Sequence, residues 1–338
     1  MSATLSPAEN VLAACGLDDG VCRSLLAGDK LARKGPERVE RAANKPQIAS
    51  KLAPTTAASD RLGDLTKRQT RKLYTQLTSG AELLRVAEEA DAGRPRFLHA
   101  RTPWRDSAYT VGIDTRTDTT FQHRARYYAA TAATVEALQH SALRTPHSAI
   151  AAFFPSYAYA ESILRALEEA GSELRVALQP RPGELNGGRG SREVAATMPD
   201  RLAAWVEESL VQADALFLVL GSSFAESIDL LGGRVTHAMV VGPALPEVNA
   251  IQRAKLASLE NSGASRTAAF RRVYQIPGMT KVNQALGRLV RAPGQRAKVL
   301  LHCRRFALES YATLLAPEYQ SGRDIADDAD LAAWLDEA

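Results

Sequence analysis

Two arginines and a glutamine lie close together in the sequence near residue 290 and could bind a triphosphate. Gln284, Gly287, Arg288 and Arg291 have the spacing QxxGRxxR. On a continuous helix, positions 284, 288 and 291 share one side, and the apolar residues between them can face a core. An arginine beside a transferring phosphoryl group neutralises the charge that develops, and a glutamine can orient the attacking water. The spacing predicts a phosphate-binding helix, with an ordinary amphipathic helix as the alternative.

Three other segments with polar or glycine-rich character directly follow apolar runs. They are Pro155–Tyr157, Gly221–Asp229 and Gly242–Pro246. In sheets of parallel strands, ligands bind beyond the carboxyl ends of the strands. These three segments are therefore candidate binding loops.

Short apolar runs alternate with amphipathic helices from about residue 95 onward, which predicts the element order of an α/β domain. Runs of five or six apolar residues without alternation are typical of strands buried on both faces. We expect a doubly wound, mostly parallel sheet over 95–320. The predicted strands are 108–113, 149–154, 174–178, 215–220, 237–241 and 297–301, and the predicted helices lie near 125–140, 158–170, 200–212, 247–262, 279–291 and 306–315.

The composition is that of a globular protein. The chain has 338 residues, 45% of them hydrophobic, and a formal charge of +4. No apolar stretch approaches the roughly 20 residues of a spanning helix, and no export signal is evident at the start. Three cysteines without CxxC spacing suggest free thiols. We expect a cytoplasmic, nucleoid-associated protein with no membrane partner.

The small net charge is an average over two opposed segments. Residues 30–72 contain twelve Lys and Arg against four acids, whereas residues 321–338 contain one Arg against six acids. A segment as basic as the first suggests a polyanionic partner, and we interpret the second as a solvated acidic tail. Residues 18–94 are predicted to form a basic helical insert or arm.

Several segments, taken in order, resemble the second motor domain of superfamily 2 helicases of the XPD/DinG type. Residues 2–7 (SATLSP), with Gly16 and Leu17, resemble motif III, and residues 153–157 (FFPSY) resemble the strand and loop that open the second domain. Gly221–Asp229 is similar to motif V, Gln284–Arg291 to motif VI, and Val299–Pro317 to the strand and loop that follow. The resemblance covers residues 1–17 and about 95–320.

The resemblance implies a RecA-like domain and a set of site residues. Arg288 and Arg291 would be arginine fingers, and Gln284 would contact the γ-phosphate or the attacking water. Gly287, Glu226 and Asp229 would bind nucleotide or couple its state to DNA. The expected nucleic-acid contacts are Ser156, Tyr157, Ser223 and Lys281.

The resemblance also implies partners. ATP with Mg²⁺ would lie between this domain and a first motor domain, and single-stranded or forked DNA would be moved, in the 5′→3′ direction, in a role in DNA repair. The chain has no Walker A sequence and no DEAH box. We therefore expect no ATP turnover by this chain alone, and a partner half that carries both motifs. The iron–sulfur cluster of many relatives belongs to that half, so none is expected here.

Two alternatives come from other classes. A nucleic-acid-binding or regulatory module could keep the fold without catalysis, anchored by the 30–72 segment. Alternatively, Gly221–Ala225 is close to the GxSxG element of α/β-hydrolases, and His302 could complete a triad. The hydrolase alternative leaves QxxGRxxR unexplained. Two departures from the helicase pattern are Ser227 in place of glycine and His302-Cys303 where relatives have Asp before Arg305-Phe306.

Overall fold

The protein's structure is a computed structural model that describes residues 105, 107–145, 149–181, 184, 198–222 and 231–337. The motif III resemblance at 1–17 and the basic insert at 18–94 lie outside the described residues. No helix among those described is both long and apolar enough to cross a bilayer.

The core is a sheet of parallel strands in the order β3-β4-β2-β5-β6-β1-β7. Strands β2, β4, β5 and β6 are buried along their whole length, as their unbroken apolar sequences predict. The strands are β1 Tyr109–Asp114, β2 Ile150–Phe154, β3 Val176–Leu178, β4 Ala215–Val219, β5 His237–Val240, β6 Ala297–His302 and β7 Arg323–Ile325.

Helices cover both faces of this sheet, and successive strand residues point to opposite faces. Phe153 packs in one core with residues of α3 and α6, whereas Phe154 packs in the other with residues of α1, α2 and α9. This is the doubly wound arrangement expected from the sequence. The helices are α1 Tyr128–Ala142, α2 Tyr157–Glu169, α3 Met198–Gln212, α4 Ala250–Asn261, α5 Arg266–Phe270, α6 Ile276–Leu286, α7 Glu309–Ala312, α8 Pro317–Gln320 and α9 Asp328–Asp336.

All six predicted strands are confirmed, with ends that differ by at most two residues. The helices predicted near 125–140, 158–170, 200–212 and 247–262 correspond to α1 to α4. The helix predicted over 306–315 is instead a 3₁₀ turn, Arg304–Ala307, followed by α7. A π-helical segment, Arg271–Gln275, leads into α6.

The acidic segment 321–338 is not a separate solvated tail. It forms β7, which pairs with β1, and α9, whose Trp334 is fully buried against the sheet. The prediction was wrong because the acidic side chains are mostly exposed while Ile325, Leu331 and Trp334 supply an apolar side. The folded domain therefore extends beyond residue 320.

Candidate functional site

The loops that follow the strands lie side by side along the carboxyl edge of the sheet. The sheet order places the loop after β2 between those after β4 and β5, with the loops after β6 and β1 next in line. The carboxyl edge thus brings together Pro155–Tyr157, Gly221 and Gly242–Pro246, which the sequence singled out. It also adds Gln179, beyond β3, and residues 115–123, beyond β1.

Ser156 and Tyr157 are held by contacts within the domain. The Ser156 hydroxyl caps α2 by accepting from the Tyr159 amide at 3.3 Å. The Tyr157 hydroxyl donates to the Pro180 carbonyl at 3.1 Å, and the Arg181 guanidinium lies 4.9 Å from the centre of its ring. Burial raises the pKa of Tyr157 above its ordinary value, so the hydroxyl remains neutral. The contacts favour a structural role for Tyr157, and DNA stacking on it stays a prediction.

Gln179 connects three of these loops. Sequence reasoning missed it, and only its position directly after a predicted strand could have pointed to it. Its side chain is 1% exposed. Its amide nitrogen donates to the Tyr157 hydroxyl at 2.6 Å, and its amide oxygen accepts from the Val219 amide at 2.8 Å and from the Ser222 hydroxyl at 3.2 Å. A buried amide that bonds to all three segments fixes the relative positions of the ends of β2, β3 and β4.

Lys281 approaches the beginning of the loop after β4. Gly221 has φ +75°, and a Cβ there would lie 2.6 Å from Lys281 Cε and 2.7 Å from its Nζ. Glycine is therefore required both by the backbone and by the side chain that covers it. The structure brings Lys281, from α6, to the carboxyl edge together with Ser156. Ser223, Glu226 and Asp229 lie outside the described residues.

The QxxGRxxR segment does not form one continuous helix. Helix α6 ends at Leu286 with Gly287 as its C-cap, and residues 287–289 form a turn. Gln284 lies in the last turn of α6, whereas Arg288 and Arg291 follow it, so the prediction of a single helical side was wrong. The reason is that Leu289 and Val290 are buried as the chain turns towards β6.

Arg288 and Arg291 lie near the opposite, amino edge of the sheet. The turn 231–234, which precedes β5, holds this segment, because the Gly233 amide donates to the Leu289 carbonyl at 3.2 Å. A Cβ on Gly232 would lie 2.9 Å from Arg291 Cγ. Arg291 is exposed and Arg288 is half-buried. The predicted site residues therefore fall into two groups, one at each edge, with α6 running between them.

A buried ionic network joins the ends of β1 and β6. Asp114 and His302 are both fully buried, with His302 Nδ1 2.6 Å from Asp114 Oδ2. Thr131 lies 3.0 Å from the other ring nitrogen, and Arg116 donates to both carboxylate oxygens of Asp114, at 2.9 and 2.7 Å. Burial alone would raise the pKa of Asp114, but the hydrogen bonds from His302 and Arg116 hold it well below its ordinary value.

This network bears on the hydrolase alternative. Both nitrogens of His302 are engaged, by Asp114 and by Thr131, and the ring is fully buried. The GxSxG spacing would make Ser223 the nucleophile, and Ser223 lies outside the described residues. His302 is thus a structural residue, already engaged on both ring nitrogens. Among the described residues, no group of His, Cys, Asp or Glu could hold a metal ion.

Asp118 organises a second cluster in the loop after β1. One of its oxygens accepts from Arg304 at 2.6 Å and lies 3.0 Å from His123 Nδ1, and the other accepts from the Thr120 amide at 3.0 Å. Burial alone would raise the pKa of Asp118, but the hydrogen bonds from Thr120 and His123 and the charge of Arg304 lower it to about 2. Asp118 therefore stays ionised and ties the loop to the residues after β6.

Comparison with known proteins places the domain in a family. The model of the helicase C-terminal domain matches residues 140–322, more than half of the chain. The chain belongs to the helicase C-terminal domain family. The matched region of this helicase domain includes β2 to β6 and both groups of predicted site residues. A search of curated proteins found no significant match.

Solved structures with a related chain course include three described as XPD proteins. "XPD_APO" is 14% identical, with a TM-score of 0.49, over 71% of this chain and 46% of that chain. "XPD_Helicase" is 14% identical, with a TM-score of 0.48, over 71% and 40%, and the Xpd4 of S. tokodaii is 15% identical, with a TM-score of 0.42, over 64% and 38%. The helicase domain thus spans less than half the length of the XPD structures that it matches.

Proposed function

We propose that the chain is the second motor domain of an ATP-dependent DNA helicase that works with a first motor domain carrying Walker A and DEAH sequences. The observation that carries the proposal is the placement of the QxxGRxxR residues, at one edge of the sheet, in a domain of the helicase C-terminal family. The predicted DNA contacts lie at the other edge. An element that spans both, α6, suits a protein in which nucleotide and DNA binding are coupled.

The nucleotide side of the proposal rests on Arg288, Arg291 and Gln284. Two guanidinium groups suit the charge of a triphosphate, because each presents several fixed N–H donors. The turn 231–234 supports the Arg291 stem and the Leu289 carbonyl, so the position of the segment is defined before any ligand binds. The chemistry that ATP supplies when bound is transfer of its γ-phosphoryl group to water. Mg²⁺ would be held mainly by the Walker A and DEAH half, as the family resemblance implies.

The DNA side of the proposal rests on basic side chains at the carboxyl edge. Lys281 covers Gly221, and Arg304 and Arg305 follow β6 directly. Contacts of this kind reach phosphates and give binding that weakens as salt rises. Lys281 is on α6, so a shift of that helix on nucleotide binding would move the Lys281 side chain relative to the loop after β4.

The experiment is an ATPase assay of this chain mixed with a first motor domain from the same source, in the presence of single-stranded DNA. Arg291→Ala and Arg288→Ala should each reduce turnover by roughly a thousandfold or more if they act as arginine fingers. Arg296→Ala is a matched control, because Arg296 is exposed in the same segment and lies outside the motif. The variants should keep the melting temperature of the parent chain, apart from a small loss for half-buried Arg288.

Turnover that is unchanged in Arg291→Ala would remove Arg291 from the finger role, and the same result for Arg288→Ala would remove Arg288. If the mixture shows no ATPase while the chain alone binds DNA in a salt-dependent manner, the non-catalytic binding module becomes the better explanation. In that alternative, DNA binding does not depend on the side chains of the QxxGRxxR segment.

A further inference from the structure

A phenylalanine at the carboxyl edge is unusually exposed. Phe121, in the loop after β1, is 82% exposed, which is the highest value for a large apolar side chain in the part of the chain that the structure describes. Leaving such a ring in water forgoes the free energy that burial would contribute. A ring in this position is commonly covered by a binding partner.

The backbone that carries Phe121 is firmly held. The amides of His123 and Arg124 donate to the Thr120 carbonyl at 3.0 and 2.8 Å, and Asp118 accepts from the Thr120 amide. Thr119, one residue further on from Asp118, accepts from Arg305 at 3.1 Å. The ring is therefore displayed from a fixed turn and does not need to be ordered by a ligand, which lowers the entropic cost of binding.

Arg124 supports Phe121 from beneath. Its guanidinium lies 4.8 Å from the centre of the Phe121 ring and 4.9 Å from that of Tyr159, so it is placed between the two. Tyr159 is fully buried and belongs to α2, which begins next to Ser156. Phe121 is thus the outer layer of a stack that is anchored in the core.

The surroundings of this stack are basic. Arg304 and His123 share one oxygen of Asp118, so they lie within a few ångströms of each other, and the Arg304 side chain is 59% exposed. Asp118 itself is 3% exposed and presents little negative surface. An exposed aromatic ring on a loop that an exposed arginine contacts is a combination that suits single-stranded nucleic acid, with a base on the ring and a phosphate on the arginine.

We propose that Phe121, backed by Arg124, is a stacking platform for one unpaired base of single-stranded DNA, with Arg304 on an adjoining phosphate. The platform lies at the same edge as Ser156 and Lys281, among the predicted DNA contacts, and away from Arg288 and Arg291. It assigns a residue that the sequence analysis did not single out. It rests on the proposed function to the extent that the ligand is DNA.

The test is fluorescence anisotropy with the full chain and two labelled 15-mers, one of deoxythymidine and one of abasic residues with the same phosphate backbone. Phe121→Ala should weaken binding of the thymidine strand by about 5- to 100-fold, since base stacking on an aromatic ring accounts for differences of this size. Binding of the abasic strand should change less than about twofold, within the scatter expected of an uninvolved surface residue. Phe121→Trp should retain the affinity for the thymidine strand.

Val211→Ala is the control for the loss of an exposed apolar side chain, because Val211 is 78% exposed and lies at the end of α3, near the amino edge. It should bind both strands as the parent does. Equal affinity of Phe121→Ala and the parent for the thymidine strand would overturn the platform, as would an equal loss on both strands. If the parent binds neither strand at low salt, the proposal that this domain binds DNA is wrong. The proposed stacking platform is then wrong as well.

Discussion

The buried pair of Asp114 and His302 gives the sharpest prediction about stability. Asp114→Asn removes the carboxylate that accepts from His302 and twice from the Arg116 side chain, at a site with no exposure to solvent. The substitution leaves a charged guanidinium, only 15% exposed, with the exposed Asp328 as its one remaining carboxylate partner among the described residues. A largely buried cation in that position is strongly unfavourable, because Asp328 is 95% exposed and a solvated carboxylate replaces little of the lost interaction.

The expected loss of stability is about 3–5 kcal/mol, the range for breaking a buried ion pair by removing one partner. For a domain of this size, that loss corresponds to a fall in melting temperature of about 6–20 °C. Arg116 also contacts Asp328 at the start of α9, where the distance is 2.5 Å. We therefore expect α9 and β7 to loosen first, which hydrogen exchange at Trp334 and Ile325 would detect.

The assay is thermal unfolding followed by circular dichroism, with Asp214→Asn as the matched control. Asp214 also forms a double hydrogen bond with an arginine, Arg175, but Arg175 is 67% exposed. Exposed pairs contribute little, so the control should melt within about 4 °C of the parent. If Asp114→Asn and Asp214→Asn shift the melting temperature equally, the buried network does not stabilise the domain as we argue.

Three further predictions follow from the same contacts. The pKa values of Asp114 and Asp118 are lower in the folded state than their ordinary value of 3.8, so their contribution to stability is complete above about pH 5 and is lost progressively as the pH falls further. Urea midpoints at pH 7, 4 and 3 should therefore decrease in that order, and a flat profile would contradict this. Gln179→Ala should cost about 1–3 kcal/mol, measured by urea unfolding, because it leaves the buried Val219 amide without its acceptor. Gly112→Ala should lower the melting temperature and expose Trp334 to fluorescence quenchers, because the new Cβ would lie 2.9 Å from the indole; unchanged quenching would count against the packing of α9.

The strands were the most predictable part of the fold. Strands such as β2 and β4 are buried on both faces, so their sequences are apolar throughout. The ends of each apolar run therefore predict the ends of the strand. The strand that was missed, β7, has only three residues, two of them exposed and charged. Strand β7 is stabilised by its pairing with β1 and by packing of Ile325 in the same core as Trp334. Both are long-range or tertiary contacts that a local sequence pattern does not reveal.

The sequence suggests residues for the candidate site, but it does not give their geometry. The spacing of Gln284, Arg288 and Arg291 fits a helix, yet Gly287 ends α6 because Leu289 and Val290 must turn into the core. The pairing of Asp114 with His302 could not be foreseen, since it depends on β1 lying next to β6 in the sheet. Sequence order alone does not give that neighbour.

The central claim is that this chain completes a motor whose other half binds the ATP phosphates. The most direct measurement is the rate of ATP hydrolysis, with single-stranded DNA present, for this chain alone, for a first motor domain alone and for the two together. We predict no turnover by this chain, little by the first domain and a large increase when they are combined. A rate for the mixture that equals the sum of the separate rates would contradict the claim.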